Sequence, residues 1–377
     1  MSLNTQLFVI QPTSFCNLNC SYCYVPDRRD KTHMSEIVLE KAFRCLFADK
    51  IEGSVQILYH AGEPMVVGKA FYENALRIIN KYKPINVKVT NVIQTNGVLI
   101  NENWAKFFKQ HDFKVGVSID GPEFLHNHNR KNWSGAGSFN QALRGYKILK
   151  EYDITTGVLS VITSKHLDHA NELINFYIEN DMIDVGFNIE EIENDNKISS
   201  LGDISNIRKD KFSQFMNNVI DIIFKHNGVI RIREISDILY LFLSKKKNPN
   251  HQIEPLEGKD LGIITIQKNG NISSYSPEFA GAKSPEYNNF VIGNVLVIDK
   301  ISDVKNNYYY KKIKNNYEQR RTLCKDSCKY FSICGSSFIS NSYTESGSLL
   351  QTENIGCLLL KQQLTDIILN RLQNLSG

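Results

Sequence analysis

Residues 16–24 read Cys16-Asn17-Leu18-Asn19-Cys20-Ser21-Tyr22-Cys23-Tyr24 and follow directly on a β-branched, apolar run, Gln6–Thr13. Three thiols on one short loop can face a single inorganic centre. A structural zinc wants four closed ligands, and the nearest histidine, His33, lies well past the loop. A cubane iron–sulfur cluster held by three cysteines leaves one iron open to an outside chelate, such as the amine and carboxylate of a methionine derivative. Spacing alone leaves the cluster, zinc and coincidence all standing.

Outward from this loop, strand-like and helix-like patterns alternate. The strand candidates are Gln6–Thr13, Ser54–His60, Val87–Thr95, Lys114–Asp120, Thr155–Thr163 and Asp184–Glu190. Between and after them lie helix-like segments at Ser35–Asp49, Gly68–Tyr82, Asn101–Gln110, Ser138–Glu151, Leu167–Glu179 and Asn206–Phe224, the first with Ser35 as its N-cap. Six β–α units imply an α/β fold with a parallel sheet, an open or partial barrel, whose site lies at the C-terminal strand ends. Polar or Gly/Pro-rich signatures do follow the strands: His60-Ala61-Gly62-Glu63-Pro64, Gln94-Thr95-Asn96-Gly97, Ser118-Ile119-Asp120-Gly121-Pro122 and Asn188-Ile189-Glu190-Glu191. Only the fifth strand lacks one. At least one of Glu190 and Glu191 is expected to contact cofactor or substrate, and strand alternation allows one of them to point inward.

Three regions are expected: a barrel over 5–225, a bridging region over 226–310 and a cysteine-rich region over 311–377. The bridge carries a helix at Arg231–Ser244 and a hairpin at Gly262–Ser273 turning on Asn269-Gly270. The runs Lys245–Lys247 and Tyr308–Arg321 read as basic, solvated surface. The last region carries Cys324-x3-Cys328-x5-Cys334-x22-Cys357, which suits a closed zinc site or a fully ligated iron–sulfur cluster. Cys45, among Ala42, Phe43, Leu46 and Phe47, reads as a buried thiol. His126 and His128 sit in a polar stretch and are expected to be solvated or bonded to backbone.

Composition narrows the class. Over 377 residues, 42% hydrophobic and 22% charged content excludes a disordered chain, a collagen and a coiled-coil rod. A net charge of +4 is too mild to imply nucleic acid or a membrane surface. No apolar run approaches a membrane span and no secretory signal opens the chain, so a cytoplasmic protein is expected, whose eight cysteines are reduced rather than paired.

Cys-x3-Cys-x-Tyr-Cys after the first strand, with Ala61-Gly62-Glu63-Pro64 after the second, resembles the radical S-adenosylmethionine (SAM) enzymes. The resemblance implies a SAM-binding [4Fe–4S] cluster on Cys16, Cys20 and Cys23. Tyr22 would pack on the adenine, Gly62 and Glu63 would meet the methionine amine, and Ser118 and Arg130 would contact ribose and carboxylate. Asn96 and Asn188 join them as cofactor contacts. The C-terminal cysteines resemble the second auxiliary-cluster site of SPASM domains. The segment Asn271–Ser276 has no cysteine where a first auxiliary cluster takes one, and Phe338 stands near another ligand position. One auxiliary [4Fe–4S] cluster is therefore expected, on Cys324, Cys328, Cys334 and Cys357.

Finer motifs, Ser118–His126, Phe187–Glu191, Tyr275-Ser276-Pro277-Glu278 and Cys328–Gly335, resemble the SPASM maturases that form three-residue cyclophanes (the GrrM/OscB and XyeB groups). The resemblance implies a ribosomal precursor peptide with a leader as substrate, and a one-electron donor such as flavodoxin or ferredoxin. No fused leader-binding segment is expected ahead of the barrel. In sulfatase-maturing relatives a Cys-Asp pair on the hairpin supplies a ligand and a base, and those places fall near Tyr275 and Ser276. Glu278, just beyond, is the candidate base or substrate-positioning carboxylate. The rival readings are a sulfatase-maturing or thioether-forming relative and, from another class, a zinc-stabilised peptide-binding protein.

Overall fold

The computed structural model describes residues 3–248 and 253–376; the side chain of Lys245, within the basic run Lys245–Lys247, lies outside what is described. Six strands carry the barrel: β1 (Leu7–Ile10), β2 (Ser54–Tyr59), β3 (Lys88–Thr95), β4 (Lys114–Ser118), β5 (Thr156–Ile162) and β6 (Asp184–Ile189). They pair in chain order and all in parallel. Phe8, Val9 and Ile10 of β1 are completely buried, as parallel strands covered on both faces require. Crossovers run through helices Glu36–Ala48, Lys69–Tyr82, Glu102–Gln110, Phe139–Glu151 and Ala170–Glu179, and helix Lys209–Lys225 follows β6. Ser35 caps the first of these by accepting the Val38 N–H at 3.3 Å. In the same helix Cys45 is buried, and its thiol donates to the Ile298 carbonyl at 3.3 Å.

The sheet does not stop at six strands. A short β7 (Arg231–Ile232) adds in parallel to β6. At the other edge β8 (Ile263–Ile266) pairs in parallel with β1, in the register Leu7↔Ile263, and β9 (Asn271–Ser274) and β10 (Gly293–Asn294) follow antiparallel. The hairpin is thus an extension of the barrel sheet, which has ten strands among the described residues. Its turn also differs from the expected two-residue one. The Gly270 N–H donates to the Gln267 carbonyl at 2.8 Å, and Gly270 (φ 86°) is left-handed while Asn269 is not. That is a type I turn closed by a left-handed glycine.

The expected solvated connection at Tyr308–Arg321 is a helix, Tyr308–Ser327, capped by the Asn307 carboxamide. Tyr310, Ile313, Tyr317, Arg320 and Cys324 are its buried residues, and their spacing of three and four makes one inward stripe. Cys328 ends the helix, Cys334 ends the short helix Phe331–Cys334, and Cys357 opens a π-helical turn that runs on into helix Leu364–Ser376. The polar stretch after β4 holds a helix too, Glu123–Asn129. There His126 is completely buried rather than solvated, and its Nδ1 accepts the Asp120 N–H at 3.3 Å. Among the described residues no helix is long and apolar enough to cross a membrane.

Candidate active site

The three-cysteine loop leaves the top of β1 and is pinned through its backbone. Cys16 N–H donates to the Arg28 carbonyl, Asn19 N–H to Lys131 and Ser21 N–H to Asn129, at 3.1, 2.7 and 3.1 Å. The Trp133 indole N–H reaches the Cys16 carbonyl at 2.8 Å. From below, Gly62 and Glu63 dock on the residue before Cys16: the Glu63 N–H donates to the Phe15 carbonyl at 2.8 Å. Gly62 (φ 57°) leaves no room there, because a Cβ would sit 2.5 Å from that same carbonyl oxygen. Gly62→Ala is expected to cost about 1–2 kcal/mol in backbone strain alone. It should also lower the iron retained by the loop, measured as iron per chain after anaerobic reconstitution.

A cavity of about 210 Å³ opens over this loop. It collects Cys16, Cys20, Cys23, Tyr22, Gly62, Asn96, Ser118 and Arg130 with Asn188, Glu190, Glu191 and Glu278. Both Glu190 and Glu191 line it, because β6 ends at Ile189 and strand alternation no longer governs the two residues beyond. Glu63 is placed otherwise than expected. It is completely buried, and its carboxylate accepts the Met65 N–H, the Asn96 N–H and the Thr95 hydroxyl at 3.0, 2.8 and 2.8 Å. The side chain ties the ends of β2 and β3 together, and burial pushes its carboxyl up to about 7.

Arg130 faces the cavity while holding a bidentate pair with Asp120, at 2.9 and 3.1 Å. Its guanidinium lies 5.4 Å from the Tyr22 ring centroid, and the Tyr22 hydroxyl bonds Asp120 as well. Burial alone would raise Asp120, but Arg130 beside it holds the carboxyl below its usual range. The Ser118 hydroxyl accepts from the Gln94 carboxamide at 3.0 Å, and the Asn96 carboxamide donates to Asn17 at 2.7 Å. The Asn188 carboxamide oxygen accepts from Arg233 at 2.8 Å, and Glu190 accepts the Ser200 N–H at 2.8 Å. Leu159 and Val161 of β5, the strand with no polar signature, supply an apolar wall.

Three wall residues carry no expected role, Tyr24, His60 and Glu193, and neither does the buried Asp120 that pairs with Arg130. The Tyr24 hydroxyl meets His60 Nε2 at 3.0 Å, and burial holds that imidazole down to about 4. Beside them burial, then Glu278, pushes Glu191 up to about 8, and Glu193 and Glu278 are raised as well. A carboxyl raised in the fold keeps a proton that the unfolded chain releases above about pH 4.3, so its stabilisation is lost as pH climbs through the folded value. The neutral buried histidines contribute fully above about pH 6.5. Melting temperature of the metal-free protein should therefore fall from about pH 6.5 to about pH 8.5, and Glu193→Gln should flatten the slope.

The second thiol group gathers at a separate cavity of about 270 Å³, lined by Cys324, Cys328, Cys334 and Cys357 together with Arg320. Sulfur acceptors are already served there: the Ser336 hydroxyl reaches Cys324 at 3.6 Å, the Ser337 N–H Cys334 at 3.4 Å and Gln362 Cys357 at 3.5 Å. All eight cysteines are free thiols. Burial pushes Cys16 and Cys357 up strongly and Cys20 to about 11, so these sites are neutral until a metal takes the protons. Among the described residues no three Cys, His, Asp or Glu side chains converge as a single ion would need. Tetrahedral zinc draws four sulfurs to about 2.3 Å of one point, whereas a cluster takes each thiolate on a different iron. The donor sets fit clusters.

A profile of the radical SAM superfamily matches residues 10–177. The chain is 34% identical over 378 aligned residues to the uncharacterized protein sll1766 of Synechocystis, covering 99% of this chain and 93% of that one. It is 26% identical to a cysteine-type anaerobic sulfatase-maturating enzyme of Clostridium perfringens, over 87% of each chain. The solved structure of native anSMEcpe with bound AdoMet and Cp18Cys peptide has the same fold, at a TM-score of 0.78 and 22% identity over 98% of both chains. S-adenosylmethionine and two [4Fe–4S] clusters are the cofactor set that the two thiol cavities fit. A profile match reaching from the end of β1 into helix Ala170–Glu179, joined to a relative aligned over 99% of this chain, places this chain in the radical SAM superfamily.

Proposed function

We propose that the chain is a maturase of a ribosomally synthesised precursor peptide, joining an aromatic ring carbon to the β-carbon of a residue two positions on. One observation carries the reading: Glu191, Glu193 and Glu278 face the cavity of the three-cysteine loop, where a proton leaving an aromatic ring needs an acceptor. When bound, SAM with the first cluster supplies a 5′-deoxyadenosyl radical and the second cluster accepts one electron. Cys16, Cys20 and Cys23 would hold the first cluster and Cys324, Cys328, Cys334 and Cys357 the second. Tyr22, Asn96, Ser118, Arg130, Asn188 and the Gly62 backbone would seat SAM. Leu159 and Val161 keep water from the seat.

Glu278 takes the ring proton on its carboxylate, which the Ser276 hydroxyl holds in place through Oε2. Its raised affinity for protons suits a base working near neutrality. Tyr275 and Ser276 offer no base, and burial pushes the Tyr275 phenol further up. Glu278→Gln should slow product formation about 10²–10⁴-fold while 5′-deoxyadenosine is still released. A rate within a few-fold of the parent would move the role to Glu190 or Glu191. A cytoplasmic setting and a flavodoxin or ferredoxin donor complete the proposal.

The second reading is maturation of a sulfatase, favoured by the 26% identity over 87% of the Clostridium perfringens enzyme. The test is anaerobic incubation of the reconstituted enzyme with precursor peptides bearing aromatic-x-x repeats. The expected product is two hydrogens lighter, with a ring-carbon to β-carbon link in tandem mass spectra. Oxidation of a sulfatase-derived peptide at its cysteine or serine, with no crosslink in the repeats, would establish the second reading instead.

A further inference from the structure

A second cavity, of about 280 Å³, lies beyond the carboxylates of the first. Asn188, Glu191, Glu193 and Glu278 line both, and Glu257, Glu234 and Asp237 bring the carboxyl groups of the second cavity to six, of which Glu234 pairs with Arg233 and Asp237 with Arg231. The hydrogen-bond donors to Glu257 and Glu278 are neutral, and Arg320 acts on Glu257 through space. Glu257 accepts the Phe338 N–H at 2.7 Å and Glu278 the Ser276 hydroxyl. Glu193 is 3% exposed, and its Oε1 has no partner. Two cations reach the cavity. Arg233 is engaged by Glu234 at 2.5 Å and by Asn188 at 2.8 Å, and Lys361 lies over the Phe338 ring at 6.0 Å.

A buried carboxylate oxygen without a donor costs free energy, and facing carboxylates add repulsion. Such an arrangement is balanced when a cation occupies it. Since no three of these side chains converge as a single metal ion needs among the described residues, the charge to be met is a spread one. An ammonium carries three N–H donors and a guanidinium five, which suits carboxylates set around a volume rather than a point.

We propose that this second cavity is a subsite for the cationic side chain of a lysine or arginine in the substrate peptide, with Glu193 as its principal acceptor. The assignment rests on the peptide-maturase reading. Because the two cavities share three glutamates, a lysine or arginine seated in one fixes which neighbouring β-carbon the peptide presents in the other. The raised proton affinity of Glu191 and Glu193 is the expected signature of carboxylates awaiting a counter-charge.

The experiment uses the holoenzyme saturated with SAM and titrates it calorimetrically with n-butylguanidinium and n-butylammonium, with n-pentanol as the neutral counterpart. Saturable binding of at least one cation and none of the alcohol is expected. Glu193→Gln should weaken it about ten-fold or more, and Glu191→Gln, a second variant of unchanged shape, should weaken it too. No saturable binding, equal binding of n-pentanol, or undiminished affinity in both variants overturns the subsite. So does binding of Mn²⁺ that depends on Glu193 and excludes the organic cations. Peptide crosslinking is assayed apart: an enzyme that crosslinks peptides but binds neither cation loses the subsite alone. An enzyme that binds the cations through Glu193 yet modifies no peptide keeps the subsite and loses the maturase reading.

Discussion

Replacement of Cys16, Cys20 and Cys23 by alanine is expected to abolish SAM cleavage and to halve the iron, from about eight atoms per chain to about four. The chain should nevertheless fold, because the loop is held by backbone bonds to Arg28, Asn129 and Lys131 and by the Trp133 indole rather than by its thiols. Iron content, the visible spectrum and 5′-deoxyadenosine released under a strong reductant are the readouts. Replacing Cys324 and Cys328 should likewise halve the iron but spare some SAM cleavage while ending product formation, since the two thiol groups line separate cavities. A wild-type preparation with four irons per chain and full product formation would falsify the assignment of two clusters.

Arg130→Ala is expected to destabilise the protein by about 3–5 kcal/mol, because it strands a buried carboxylate. The Asp120 side chain is fully buried and that of Arg130 is 8% exposed. Asp120 also accepts the Val161 N–H at 3.0 Å, so the pair couples β4 to β5 directly beneath Tyr22. Loss of SAM affinity in Arg130→Ala would therefore mix a lost contact with a displaced wall. The double variant Arg130→Ala/Asp120→Asn removes the stranded charge and should recover much of the melting temperature. If SAM binding stays lost in that variant, Arg130 itself meets the cofactor. The sign with pH is opposite to that of the raised glutamates. Asp120 is depressed in the fold, so its stabilisation is complete above about pH 3.9 and is lost only as acid drops through the lower folded value. An Arg130→Ala melting curve no different from the parent at neutral pH would rule out this account.

The six β–α units were legible because strands buried on both faces read as short apolar runs, and the cysteine loops because soft ligands cluster at few spacings. The pairing of β8 with β1 was not: it joins residues about 250 apart, and nothing local to Ile263–Ile266 names Leu7–Ile10 as its neighbour. The helix Tyr308–Ser327 was hidden by the lysines on its outer face, which mask the spacing of Tyr310, Ile313 and Tyr317. Glu193 could have been noticed as the third acid after β6, yet its burial depends on the arrival of Ser340 and Glu278 from distant segments. Chemistry carried by one short loop could be read locally, and chemistry assembled across the sheet could not.

Arg320 is 1% exposed, and its donors end on the carbonyls of Ser336, Ser337 and Gln351 and on the Ser336 hydroxyl. All of these acceptors are neutral, and Arg320 lines the cavity of the four C-terminal thiols. The fold encloses a permanent positive charge there, which acts on the buried Glu257 carboxyl and favours the thiolate forms of Cys324 and Cys357, so the negative charge that metal binding would create meets a cation already in place.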